Sequence, residues 1–233
     1  MPPANNHNSQ SQTLSELNNI HDYSIDTKNR EIFLHSYYWD GSEDTGVDYR
    51  SALILEKNLR YLNTISEDPI LIHMHIQGGD YSDLLGMYDA IKLSPSKIGI
   101  LAYSKSESCS SIILQAADYR VLMPSTYMLI HYGSISIEDH SKAAVSVMEW
   151  NQRESDKMIT TFAEKCMATG AIAKERNWKL MMAKKHIAVQ LAQKGDWILD
   201  AEEAVYHGFA DAIFGKGKLQ TVENIKSILK KIK

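Results

Sequence analysis

The densest concentration of potential nucleophiles in the chain is "SKSESCSS", residues 104–111, which holds five serines and Cys109. A free hydroxyl attacks carbonyls poorly. It needs an imidazole to take its proton, a carboxylate to orient that imidazole, and N–H donors for the oxyanion that forms. It also needs exposure on a rigid turn. The run lies between "KIGILAY" (97–103), which reads as a strand, and an apolar stretch, "SSIILQAAD", which reads as a buried helix beginning near Cys109. A strand-to-helix turn presents a side chain at the end of a sheet, where open α/β folds bind ligands, and brings helix N-terminal amides to the same place. Ser104 is still close to the strand, and Ser110 and Ser111 fall inside the helix, so Ser106 and Ser108 are the geometric candidates. The bland alternative is a serine that caps the helix, and Cys109 is a rival nucleophile in principle.

The elements that must position this turn alternate. "REIFLHSYYW" (30–39), "PILIHMHI" (69–76) and "KIGILAY" read as strands; "VDYRSALILEKNLRYLNTI" (47–65) and "YSDLLGMYDAIKLS" (81–94) have helical periodicity. "YRVLM" and "TYMLIHYG" are two more strands separated by "PS". Strand–helix alternation predicts crossover units and a mainly parallel sheet. After residue 140 the pattern turns helical: one long stretch (141–170) ending at Gly170, a second within 173–195, and a short helix in "DAEEAVYHGFAD" (200–211) with Asp200 and Glu203 spaced as a capping box and Gly208 as its stop. Residues 1–20 are expected to be a disordered, Asn/Gln/Ser-rich segment, and 216–233 a basic helix or tail that packs on its own domain rather than on a membrane or partner. Met181 and Met182 read as core or subunit interface.

With 233 residues and 44% hydrophobic content the chain can bury one sizeable core. A net charge of −4 gives no electrostatic case for nucleic acid, no apolar run reaches bilayer-spanning length, and two cysteines without ligand spacing suggest a reducing setting: the cytoplasm, an organelle matrix or an infected host's cytoplasm. There is no Walker phosphate loop. His73 and His75 share a strand face, but with no third ligand near them no metal is expected, nor any cofactor.

Three blocks resemble the proteolytic subunit of the Clp protease, the ClpP family of serine peptidases. In "RVLMPSTYMLIH", Arg120, Pro124, Met128, Leu129, Ile130 and His131 stand at the spacing of the family's histidine block, with Tyr132-Gly133 where it has Gln-Pro. Asp196, Glu203, Ala204, Gly208 and Asp211 match its C-terminal block. Gly78, Gly79, Gly86, Tyr88 and Asp89 match its S-P-G-G turn and following helix, with Gln77 replacing the proline. The family's serine pattern then lies over Ser104 to Ser111, with Ser104, Glu107 and Cys109 as departures. A carboxylate at Glu107 opposes an oxyanion unless it points away.

The resemblance covers roughly residues 25 to 215 and implies a peptidase domain over 21–215. Its fold would be a ClpP/crotonase-like spiral of ββα units with a protruding handle helix at about 141–168. It implies a triad of Ser108, His131 and Asp196, with the Gly79 and Cys109 N–H groups at the oxyanion. It also implies an ATP-independent endopeptidase core in stacked, heptameric homo-oligomeric rings, acting on peptides or unfolded polypeptides beside a separate AAA+ unfoldase. Two other readings compete: a non-catalytic subunit of a mixed ring, and an acyl-CoA enzyme of the crotonase fold.

Overall fold

The computed structural model describes residues 6–37, 45–134 and 141–232. In chain order its first half comprises α1 (Asn6–Tyr23), β1 (Ile25–Asp26), β2 (Glu31–Leu34), α2 (Tyr49–Ile65), β3 (Ile70–Met74), α3 (Tyr81–Lys92), β4 (Ile98–Ala102), β5 (Lys105–Glu107) and α4 (Cys109–Ala116). The second half adds β6 (Tyr119–Leu122), β7 (Tyr127–Ile130), α5 (Ser141–Thr169), α6 (Ala171–Glu175), α7 (Leu180–Lys194), β8 (Trp197–Leu199), α8 (Ala201–His207), β9 (Ala212–Ile213) and α9 (Val222–Leu229).

The main sheet has six strands in the order β1-β2-β3-β4-β6-β9. All its pairs are parallel except β1 with β2. Every residue of β4, "IGILA", is buried, as a central strand covered on both faces requires. Side chains alternate across the sheet. Ile70, Ile72 and Met74 join the core shared with α2 to α5, whereas Leu71, Leu101 and Val121 meet Ile225 and Leu229 of α9 on the other face. The basic C-terminal helix thus closes the second face of its own sheet. A Thr221–Asn224 capping box starts it.

A second sheet has three strands, β5-β7-β8. β5 runs parallel to β7, and β8 antiparallel to it. The serine-rich run therefore contains a strand, where its composition suggested only a turn. α5 is 29 residues long. Its second half buries Met158, Ile159, Phe162, Ala163 and Cys166, while Val145, Val147, Met148 and Trp150 in its first half are exposed, so the helix projects from the body.

Two expectations differ from the structure. The segment expected to be disordered is helical from Asn6 onward. Its Leu14, Leu17 and Ile20 recur at helical spacing, but Leu14 and Leu17 stay exposed, so composition alone could not reveal a helix that adds little to the core. Met181 and Met182 are at the surface of the single chain, which excludes the core half of their reading and agrees with the subunit-interface half. The strand expected over 30–39 ends at Leu34, and Tyr38 and Trp39 lie outside the described residues, as does most of the "DGSEDTG" loop (40–46).

Candidate active site

The register of the small sheet brings the predicted residues together. β7 pairs with β8 so that Ile130 faces Trp197. The next residue on one strand is His131 and the preceding one on the other is Asp196, which puts them side by side. β7 also pairs with β5, Leu129 opposite Glu107, and the Ser108 N–H donates to the Leu129 carbonyl at 2.9 Å. One end of the small sheet thereby carries all three side chains, each next to a different strand. His131 Nε2 lies 2.8 Å from Ser108 Oγ, and His131 Nδ1 lies 3.1 Å from Asp196 Oδ1. With the carboxylate accepting from Nδ1–H, Nε2 is left to accept from the serine hydroxyl.

Ser108 occupies the N-cap position of α4, yet its hydroxyl makes no capping bond. Its backbone sits at φ 55°, ψ −122°, a conformation costly for a residue with a Cβ. The surroundings hold it there: its carbonyl accepts from both the Ser111 N–H and the Ser111 hydroxyl, at 3.0 and 2.7 Å. Ser106, the other candidate, is fully buried, and its hydroxyl donates to the Ser110 carbonyl. Ser110 bonds the backbone of Glu107. The run thus turns three serines to holding the turn and one to the imidazole.

Cys109 is buried, and its thiol donates to the Gly79 carbonyl at 3.2 Å. Burial pushes the thiol pKa up, which disfavours the thiolate a cysteine nucleophile needs. Glu107 is turned aside. Its carboxylate accepts from the Tyr127 hydroxyl at 2.8 Å and faces the Lys105 ammonium at 3.4 Å. The charge beside Ser108 is therefore hydrogen-bonded and paired.

The glycines matter through contact distance and one peptide plane. A Cβ on Gly78 would lie 2.4 Å from Ser108 Cβ. Val47 N–H donates to the Gly78 carbonyl and the Val47 carbonyl accepts from Asp80 N–H, a parallel bridge opposite Gly79. In a trans peptide the C=O and N–H point in opposite directions. With Gly78 C=O held toward Val47, Gly79 N–H faces the other way, the side on which the Gly79 carbonyl meets Cys109. Cys109 opens α4, where a helix leaves its N–H groups without intrahelical partners.

A cavity of about 390 Å³ opens on Ser108, His131, Gly79 and Cys109. Tyr81, Trp150 and Glu154 line it, three residues that the sequence reading did not single out. The available signal was Glu154 itself, a carboxylate in the line Trp150, Glu154, Met158, Phe162 that recurs every four residues on α5.

Arg120 and Asp211 serve the frame. Arg120 is 2% exposed; its guanidinium takes both oxygens of Asp211 and also donates to Gln115, Gly208 and Thr169. His73, weighed as a metal ligand, has both ring nitrogens occupied, by Tyr103 and Glu31, and no group of three ligand-type residues suited to a metal occurs among the described residues. Among the described residues no helix is long and apolar enough to cross a membrane.

In fold the chain is an α/β protein of the ClpP type. A ClpP1 mutant from Listeria monocytogenes superposes with a TM-score of 0.61 over 85% of this chain and 96% of that one, at 18% identity. The family model for the Clp protease matches residues 28–217, and the chain belongs to that family. It is 26% identical over 170 residues to the ATP-dependent Clp protease proteolytic subunit 2 of Pseudomonas aeruginosa, covering 72% of this chain and 77% of that protein. It is likewise 26% identical over 180 residues to proteolytic subunit 1 of Corynebacterium diphtheriae, covering 75% and 78%.

Proposed function

We propose that this member of the Clp protease family is an active serine endopeptidase. The observation that carries the reading is Ser108 itself: held at a positive φ, released from capping, and 2.8 Å from an imidazole whose other nitrogen meets Asp196. His131 takes the hydroxyl proton as Ser108 Oγ bonds to the peptide carbonyl carbon, and the carbonyl π pair moves onto oxygen. Gly79 and Cys109 N–H groups hold that oxyanion, and Asp196 steadies the imidazolium. The intermediate collapses, the C–N bond breaks, and His131 returns its proton to the departing amine. Water then attacks the acyl-serine with His131 as base, releasing the acid and restoring Ser108.

The relatives are named as proteolytic subunits of an ATP-dependent protease. On this reading hydrolysis needs no nucleotide, and a separate AAA+ unfoldase would supply unfolded polypeptide. The exposed apolar Val145 and Met148 on the projecting half of α5 support burial against other copies in a ring assembly of this chain. The Glu107 contacts with Tyr127 and Lys105 support this reading over a non-catalytic subunit.

Intact-protein mass spectrometry after treatment with a fluorophosphonate tests the reading. A single adduct is expected, retained in Ser106→Ala and lost in Ser108→Ala. A folded, assembled sample that takes up no adduct overturns it.

A further inference from the structure

We propose that the cavity beside Ser108 selects a lysine or arginine on the acyl side of the scissile bond, with Glu154 as the selecting group; this rests on the peptidase reading above. The cavity has apolar walls, Ile112, Val147, Trp150 and Met158, and Tyr81 stands edge-on to Trp150 at 5.9 Å. Among the lining residues is Glu154, only 5% exposed. A buried charge is costly unless it is paired, so an acid in an apolar lining calls for a partner.

Two partners are present. The Tyr81 hydroxyl donates to Glu154 Oε2 at 3.3 Å, and Lys157 Nζ to Oε1 at 2.7 Å. The Lys157 side chain is 71% exposed, so its ammonium can exchange this contact for water, whereas the Glu154 carboxylate cannot. A carboxylate accepts at about four lone-pair positions. Tyr81 and Lys157 leave room for another donor from the cavity side.

The shape of the ligand follows from this lining. A long aliphatic stem would lie against Ile112, Val147 and Met158, and a cationic head at its end would meet Glu154, with the Trp150 ring beside it. An uncharged stem of the same length would gain the wall contacts and leave the carboxylate without a new partner. An acidic side chain would be repelled.

The test compares two peptidyl diphenyl phosphonates that differ only in ending on a lysine or a norleucine analogue, which share a stem and differ in the ammonium. The rate of covalent modification is read by intact mass for the wild type, Glu154→Gln and Glu154→Leu. The lysine probe is expected to react about 10- to 100-fold faster in the wild type, the range of one charge-assisted hydrogen bond. The ratio should fall to about 1 in Glu154→Gln and below it in Glu154→Leu. A ratio within one protein cancels any general loss of reactivity in a variant. Equal wild-type rates, with Ser108 still labelled by a fluorophosphonate, overturn the inference and leave the peptidase reading standing. A wild-type preference that survives both substitutions removes Glu154 as the selecting group. Failure of every phosphorus probe overturns the peptidase reading, and this inference with it.

Discussion

His131 and His73 have the same kinds of neighbours. Each imidazole has a hydroxyl at 2.8 Å on one nitrogen and a carboxylate on the other: Ser108 and Asp196 for His131, Tyr103 and Glu31 for His73. The surroundings differ. Tyr103 OH belongs to a phenol whose pKa burial pushes up, and His73 is stacked on Phe33 with centroids 4.9 Å apart. Glu31 is also paired with Lys226 of α9, so that network fastens the C-terminal helix to the sheet. Ser108 stands on a strained turn at the start of a helix, beside Gly79 and a cavity. On the proposed reading, a hydroxyl–imidazole–carboxylate chain is not sufficient for reactivity, and the backbone under the hydroxyl and the donors facing the developing charge make the difference.

The largest expected contrast comes from removing the two hydroxyls. Ser108→Ala should lower peptide turnover by about 10⁴-fold or more, while Tyr103→Phe should leave it within about two-fold. A comparable loss in Tyr103→Phe would erase the distinction between the sites.

Removing the carboxylates should exchange the phenotypes. Asp196→Asn is expected to reduce kcat by about 10²- to 10⁴-fold, because the imidazole loses its tautomer and orientation. Glu31→Gln should preserve kcat but lower the urea-unfolding free energy by about 1–3 kcal/mol, since His73 and Lys226 lose a shared partner. Kinetics and denaturation on the same two proteins make the check.

Gly78→Ala sharpens the comparison further, because Gly78 abuts Ser108 and not the His73 network. The added methyl would have to displace Ser108, and a misplacement near 1 Å costs about 10²-fold in rate. Circular dichroism should show the fold retained; full activity would show that the turn yields easily.

The smallest effect is on pH dependence. Burial works to raise the Glu31 pKa, but hydrogen bonds from His73 and Lys226 hold it below the ordinary 4.5. Its contribution is therefore fully present above about 4.5 and is lost as pH falls through the lowered folded value. The unfolding midpoint should decline over that acid window, and Glu31→Gln should flatten the decline.

The alternation of the middle of the chain was legible because buried parallel strands such as "IGILA" are apolar throughout. The residues alone left both Ser106 and Ser108 open, and Ser108, His131 and Asp196 were singled out together only through the resemblance to a family. Strand β5 was not legible: "KSE" has no strand propensity of its own, and its pairing with β7 comes from the tertiary fold. The same holds for Glu107, whose partner Tyr127 is supplied across the strand pair. Glu154 breaks an apolar line, but only the packing of α5 over the cavity shows what it faces.

The bridge between Val47 and Gly79 couples two energy scales. Global unfolding of a domain costs on the order of 5–15 kcal/mol, whereas opening one local contact costs far less. If that contact frays, the Gly79 peptide is free to rotate while Ser108, His131 and Asp196 stay joined. On the proposed reading, such a molecule is still folded but slow. Peptide turnover should therefore decline on heating before the domain melts, with an optimum temperature set by the entrance to α2 rather than by Tm.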